Sequence, residues 1–180
     1  MTRFEAFLLL RRRVRDRNLV RRCLAAEAVM EDLASRLGGD PGTWGLAGLL
    51  HEVDAEFTGS NPRSKGAVAA DIVRSDGGPA EVVRALEGFR GPGPHADVLT
   101  RALAAAVPAV MILLDLAATP KDLEGLDGGE MLGALDDPSV APEASRARVH
   151  DLNEAGLETG SLLELARGAV LRVASDVFPG

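Results

Sequence analysis

Cysteine and aromatic residues are scarce in this chain. Among its 180 residues, aromatic residues make up 3%, with one Trp and no Tyr, while 46% of the residues are hydrophobic. The core must therefore consist mainly of Leu, Val and Ala, which suit close-packed helices, whereas sheets favour β-branched and aromatic residues. The single cysteine, Cys23, excludes an intrachain disulfide and a cysteine-rich zinc module. This composition predicts an all-α protein.

Long hydrophobic runs are also missing. The apolar stretch at residues 6–10 is too short for the apolar part of a signal peptide plus a cleavage site. The longest apolar run covers residues 102–114, which is 13 residues and fewer than the roughly 20 that a membrane helix needs. We therefore expect a buried core helix there, no membrane partner and a cytoplasmic protein.

The charges are unevenly distributed along the chain. The net charge is −7, so most of the protein is acidic, which argues against nucleic acid as a partner. We interpret the basic N-terminal residues as a solvated helix face, and docking to phosphate or to an acidic partner is the alternative. A homodimer is a further open alternative. The eight arginines in residues 1–22 are Arg3, Arg11, Arg12, Arg13, Arg15, Arg17, Arg21 and Arg22.

Helical periodicity recurs along nearly the whole chain, and no stretch alternates as a strand does. We expect a single domain over residues 1–180, with a core at about 16–118 and a C-terminal helical extension at 119–180. The predicted helices cover residues 3–15, 18–38, 43–52, 64–75, 80–90 and 97–117, followed by one from Thr119 and a last one from about 161 to 177. Loops are expected at residues 57–62, 91–94 and 125–142 because these segments are rich in Gly, Pro, Asp and Asn.

Several residues are typical of helix ends. Asn18 is a candidate N-cap and Gly38 a candidate left-handed C-cap. Thr119 precedes Pro120, which suits the first helical position. Ser161 and Glu164 have the spacing of a capping box.

The chain contains three histidines, and they stand in different contexts. His95 lies in a Gly/Pro-rich break, and His150 lies in a polar helix where a surface role is expected. His51 instead ends an apolar helix and is followed by acidic residues at positions 52, 54 and 56. An imidazole beside carboxylates can bind a metal or transfer protons, although a purely structural, hydrogen-bonded histidine is the alternative.

The segment from Gly48 to Asp54, GLLHEVD, resembles the "GLLHDxD" signature of bacterial HD-domain phosphohydrolases. The resemblance extends over nearly the full chain in the expected order, through residues 18–34, 79–86, 105–108 and 152–157. It implies a single-domain helical bundle of the HD-domain type. In that family, activity depends on a metal held by histidines and aspartates.

This chain departs from the family at almost every position that would hold the metal. Those positions are occupied here by Arg22, His51, Glu52, Lys65, Phe89, Arg90 and Val107, so that only one ligand is unchanged. Arginine has no lone pair to give a metal, and lysine is normally a cation. Since metal-assisted hydrolysis relies on the ion, we expect a catalytically degenerate protein with no metal and no other cofactor.

The resemblance leaves two readings of the former site open. Arg22, Lys65 and Arg90 could neutralise Glu52 and Asp54 and seal the site with salt bridges. Alternatively, these cations could face an open pocket and bind an anionic small molecule, so that the protein acts as a binding or regulatory module.

Two enzymatic hypotheses are also open. His51, Glu52 and Asp54 could form a reduced metal site for hydrolysis of a nucleotide or another phosphate ester. His51 could instead act as a base in metal-free acid–base chemistry, with Arg22 and Lys65 as electrophiles. Cys23, next to Arg22, is expected to be buried and inert, with a reactive thiol as the alternative.

Overall fold

The computed structural model describes residues 1–59, 61, 64–91 and 97–178, and within them the side chains of all residues except 151 and 154. In this part of the chain, all regular structure is helical. The α-helices are α1 (Arg3–Arg13), α2 (Arg17–Leu37), α3 (Pro41–Leu50), α4 (Ala55–Thr58), α5 (Ala67–Ser75), α6 (Ala80–Gly88), α7 (Val98–Leu116), α8 (Pro120–Gly125), α9 (Gly128–Asp136), α10 (Glu143–His150), α11 (Thr159–Arg172) and α12 (Ala174–Val177). A 3-10 helix over Asp151–Ala155 joins α10 to α11. The expected all-α class is confirmed.

Helices α2 and α7 form the centre of the molecule. Helix α2 packs against α3, α7 and α11, and α7 also contacts α10 and α11. The buried hydrophobic residues form one continuous cluster that runs from Ala6 to Val177. The described residues of 119–178 therefore share their core with those of 16–118.

The contact between α2 and α3 depends on Gly48. A β-carbon at this position would lie 2.5 Å from the carbonyl oxygen of Ala26 and 2.8 Å from the backbone nitrogen of Glu27. These are backbone atoms that cannot rotate away, so only glycine lets the two helices approach this closely. This approach holds the C-terminal end of α3, where His51 follows, against the centre of the bundle.

Helix α7 is long and apolar enough to cross a membrane by length and composition, but 72% of its apolar stretch is buried inside the molecule. Ala102, Ala105 and Ala109 are fully buried and line its path through the core. Small side chains of this kind let neighbouring helices pack closely around it. The expected core helix at 97–117 is confirmed.

Some helix ends lie where the sequence predicts them. Gly38 ends α2 in the left-handed conformation with φ 79°. Thr119 caps α8, with Pro120 in the first turn and a capping box completed by Asp122. The prediction of Asn18 as the N-cap of α2 was wrong. Asp16 is the N-cap, and its carboxylate accepts a hydrogen bond from the backbone N–H of Asn18. Aspartate and asparagine cap equally well, so the sequence does not distinguish neighbouring candidates.

The expected loop at 125–142 was also wrong, because α9 lies inside it. Asp127 caps this helix in a capping box with Glu130, and the side chains of Met131 and Leu135 are buried. A short apolar face that packs against α11 outweighs the glycines around it. The loop prediction rested on composition alone and overlooked this capping signal.

The last predicted helix also begins elsewhere. Helix α11 begins at Thr159 after Glu158, so Ser161 and Glu164 lie within the first turns and do not form its cap. It ends at Arg172, and α12 follows it.

At 57–62, the expected loop overlaps the short helix α4, while residues 60, 62 and 63 lie outside the described part. Of the expected break at 91–94, only residue 91 lies in the described part, and His95 lies outside it.

Some of the basic N-terminal residues make side-chain contacts, and others face the solvent. Arg3 donates from Nε and Nη2 to both oxygens of the buried Glu27, each at 2.8 Å, and so joins α1 to α2. The residues Arg11, Arg12, Arg15 and Arg17 are exposed. Several of the eight arginines are therefore exposed to solvent, and whether they dock a partner stays a prediction.

Candidate functional site

His51 follows the last residue of α3 and is almost completely buried, with 2% of its surface exposed. Its Nδ1 lies 2.7 Å from the carbonyl oxygen of Gly48. Because a carbonyl can only accept, Nδ1 carries the proton of the neutral ring, and the lone pair is on Nε2. Nε2 lies 3.9 Å from Oε1 of Glu52, which is beyond hydrogen-bonding distance.

Glu52 is the centre of the site and binds two cations. Lys65 Nζ donates to Oε2 at 3.0 Å, and Arg90 Nη2 donates to Oε1 at 2.8 Å. The Glu52 side chain is 10% exposed, while those of Lys65 and Arg90 are 24% and 26% exposed. Each carboxylate oxygen thus has its own positive partner, from the turn before α5 and from the residue after Phe89. We call His51, Glu52, Lys65, Phe89 and Arg90 the Glu52 cluster.

Aromatic packing holds this cluster together. The rings of His51 and Phe89 meet edge to face with their centroids 6.3 Å apart. The Arg90 guanidinium lies 4.7 Å from the centre of the Phe89 ring, in a cation–π contact. Arg148, from α10, donates to the backbone carbonyl of Arg90 at 3.0 Å. Arg148 was not predicted, because nothing in the sequence connects two residues 58 positions apart.

The charges of the cluster follow from burial and from its ion pairs. Burial lowers the pKa of the His51 imidazole, although the nearby Glu52 carboxylate opposes this shift. Burial alone would raise the pKa of Glu52, but the positive field of His51, Arg90 and Lys65 outweighs it and lowers that pKa. His51 adds to this field only when protonated. Near neutral pH His51 is therefore neutral, and Lys65 and Arg90 are the counter-charges of Glu52.

Asp54 stabilises the start of α5, while the ligand-binding role expected from the sequence stays a prediction. Its Oδ2 accepts hydrogen bonds from the backbone N–H groups of Gly66 at 2.8 Å and Ala69 at 3.2 Å, so it caps the N-terminus of α5 from outside the helix. The residue is fully buried. Gly66 has φ +87°, and a β-carbon there would lie 2.6 Å from the carbonyl oxygen of Leu86. Both features hold α5 against α6 and thereby position Lys65.

Arg22 is not joined to the Glu52 cluster by any hydrogen bond or ion pair within the described ranges. It is half-buried and lines a different cavity, between α2, the end of α7 and α12. The expected grouping of Arg22 with Lys65 and Arg90 is therefore not seen. A position on α2 taken from motif alignment does not determine the direction of a long side chain. Neighbouring Cys23 is fully buried, and burial followed by the Glu52 charge raises its thiol pKa, which leaves it protonated and inert.

The donor atoms around His51 do not suit a metal ion. In the described part of the chain, no group of three or more His, Cys, Asp or Glu side chains converges on one point. Val107 has no donor atom, and both oxygens of Glu52 already accept from cations. A dication at this place would meet two positive charges and at most one free nitrogen, that of His51, whereas structural and catalytic sites supply three or more protein ligands.

Comparison with known proteins adds no relative to this picture. No protein-family model, no curated protein and no solved structure matches the chain.

Proposed function

We propose that this chain is a catalytically degenerate relative of the HD-domain phosphohydrolases, and that it acts as a binding or regulatory module for a small anionic molecule. The proposal includes the absence of metal-dependent hydrolysis. The observation that supports the loss of metal-dependent hydrolysis is the pair of cations on Glu52. Lys65 and Arg90 stand where the sequence resemblance implies metal ligands, and both bind the one carboxylate that replaces the aspartate of the signature.

The chemistry of these residues supports the sealed form of the site. Hydrolysis of a phosphate ester at a metal centre requires a Lewis acid and an activated water. Here the positive charge comes from side chains that cannot activate water in that way. Removing either cation would leave a largely buried carboxylate short of a counter-charge, so the ion pairs have a structural reason to persist.

Metal-free catalysis by His51 has less support. Its imidazole is neutral near pH 7, as a general base requires. However, the residue is 2% exposed, and the Phe89 ring packs against it. A substrate would have to displace this packing before it could reach Nε2.

The first experiment measures metal content and hydrolysis on protein purified without a chelator. We expect a substoichiometric transition-metal content. We also expect no turnover of p-nitrophenyl phosphate or bis-p-nitrophenyl phosphate with added Mn²⁺, Mg²⁺ or Zn²⁺. Stoichiometric metal together with turnover that disappears in His51→Ala would contradict the proposal.

A second experiment tests whether the Glu52 cluster occupies a former metal site. The triple variant Glu52→Asp, Lys65→His and Arg90→His removes both cations and adds two imidazoles beside His51. We expect it to bind Zn²⁺ or Mn²⁺ with a 1:1 stoichiometry by calorimetry, while the unsubstituted chain does not. The control places the same histidines on the surface, with Arg84→His and Lys121→His. If the triple variant binds no better than this control, the relation to metal-binding relatives loses its main support.

A further inference from the structure

A cavity of about 220 Å³ lies between the first turns of α2, the C-terminal end of α7 and the end of α12. We call it the Arg22 cavity. It is smaller than the roughly 300–1,000 Å³ of pockets for drug-sized ligands, so its occupant would be a small molecule. Its lining residues are Asn18, Arg21, Arg22, Leu114, Asp115, Ala117, Ala118, Val177 and Phe178.

Two guanidinium groups line this cavity. Arg21 donates to the side-chain oxygen of Asn18 at 3.4 Å, a long hydrogen bond. Arg22 is half-buried, and its side chain has no hydrogen bond or ion pair within the described chain, although Asp115 lines the same cavity. A half-buried guanidinium has lost part of its hydration, and its five N–H donors favour a carboxylate or phosphate in a two-pronged contact. The N–H donors of the Arg22 side chain are therefore available to bind an anion in the cavity.

Part of the remaining wall of the cavity is apolar, beside the polar residues Asn18 and Asp115. Ala117 and Val177 are buried, while Leu114 and Phe178 are half-buried. The lining carries two positive charges against the one negative charge of Asp115, a formal excess of one. A single carboxylate balances this excess, whereas a phosphate dianion would be repelled by Asp115. The apolar side chains in the lining would contact a small hydrocarbon body attached to the carboxylate.

We propose that the Arg22 cavity binds a small monocarboxylate with an apolar body, such as a short-chain fatty acid or an aryl carboxylate. Arg22 contacts the carboxylate, Arg21 supports it, and Leu114 and Phe178 cover the hydrocarbon part. This inference deepens the proposed function and rests on it for the role of the protein as a binding module. It places the anion in the Arg22 cavity and not at the Glu52 cluster.

Isothermal titration calorimetry with hexanoate and benzoate tests the site, with 1-hexanol, hexylamine and inorganic phosphate as comparison probes. We expect a 1:1 affinity on the order of 0.1–1 mM for the carboxylates, a range reasonable for ligands of this size. Arg22→Ala should weaken binding about tenfold or more, since it removes a charge-assisted contact. Asp115→Asn should strengthen it several-fold. Arg17→Ala, an exposed arginine of the same helix that does not line the cavity, should leave it unchanged.

Ala118→Trp provides a second variant that keeps both arginines and fills the cavity, so it should abolish binding. Circular dichroism verifies the fold of each variant. No saturable binding of either carboxylate up to 10 mM, equal binding by Arg22→Ala, or tighter binding of phosphate, hexanol or hexylamine would each overturn the proposal. These outcomes leave the metal and hydrolysis measurements untouched, so a failure here is distinguishable from a failure of the proposed function.

Discussion

Replacing Glu52 with glutamine removes one negative charge and leaves its size unchanged. In the variant, the ammonium of Lys65 and the guanidinium of Arg90 still point at position 52, where they now meet a neutral amide. Truncating one partner of a buried ion pair costs about 3–5 kcal/mol, and an exposed pair contributes about 0.2–1 kcal/mol. The carboxylate is largely buried, but each cation is about one quarter exposed and can turn toward water. We therefore expect a loss of about 2–3 kcal/mol for Glu52→Gln.

The assay is urea unfolding at pH 7, followed by circular dichroism. A loss of this size corresponds to a decrease in Tm of roughly 4–12 °C for a chain of this length. Lys65→Met should cost less, about 1–2 kcal/mol, because Arg90 remains on Glu52. In the double-mutant cycle of Glu52→Gln with Lys65→Met, we expect a coupling of about 1 kcal/mol. The control is Glu124→Gln, an exposed carboxylate on α8, which should change stability by less than about 0.5 kcal/mol.

The pH dependence gives an independent check. Because the pKa of Glu52 is lower in the folded protein than its ordinary value of 4.5, the folded state binds the proton more weakly than the unfolded state. The stability that Glu52 contributes is therefore present above pH 4.5 and lost as the pH falls through the lowered pKa. Glu52→Gln should then differ most from the unsubstituted chain at pH 5–7 and least near pH 3. An unchanged or higher stability of Glu52→Gln at pH 7 would refute the view that the ion pairs hold this site closed.

Three further predictions concern neighbouring positions. Asp54→Ala removes the cap of α5 and exposes two backbone N–H groups to an apolar environment, so we expect a loss of about 2–4 kcal/mol in urea unfolding. Gly48→Ala forces a β-carbon against the backbone of α2 and should cost at least about 1–3 kcal/mol. The control is Gly168→Ala on α11, where no atom lies within 4 Å of the added carbon, and it should be neutral or stabilising by up to about 1 kcal/mol. Equal effects of the two substitutions on stability would contradict the close approach at Gly48. Because burial lowers the pKa of His51 from 6.5, its contribution to stability declines as the pH falls below 6.5, and His51→Gln should flatten the stability profile between pH 6.5 and 5.

Local signals in the sequence predicted the helical class and several helix ends correctly. Gly38 and Thr119 act through their own backbone and side-chain geometry, which neighbouring residues alone decide. The prediction failed at residues 125–142, where Asp127 and Glu130 form a capping box inside a glycine-rich segment. Composition favoured a loop there, and packing against α11 favoured a helix.

The candidate site was predicted only in part. The sequence identified His51, Glu52, Lys65 and Arg90, and the structure brings these four together. The sequence also grouped Arg22 with them, but in the structure Arg22 lines another cavity.

The sequence by itself determined the kinds of group available. There are three histidines and one cysteine, arginine and lysine stand at positions where the resemblance implies ligands, and the core consists of small aliphatic residues. The tertiary structure alone decided how they pair, including two cations on one carboxylate, Asp54 as the cap of α5, and Arg22 in a separate cavity. The physical reason is that residue identity sets charge and donor atoms, whereas pairing depends on distances of a few ångströms between helices far apart in sequence. Those distances follow from close contacts such as that at Gly48, which form only when the whole bundle is packed.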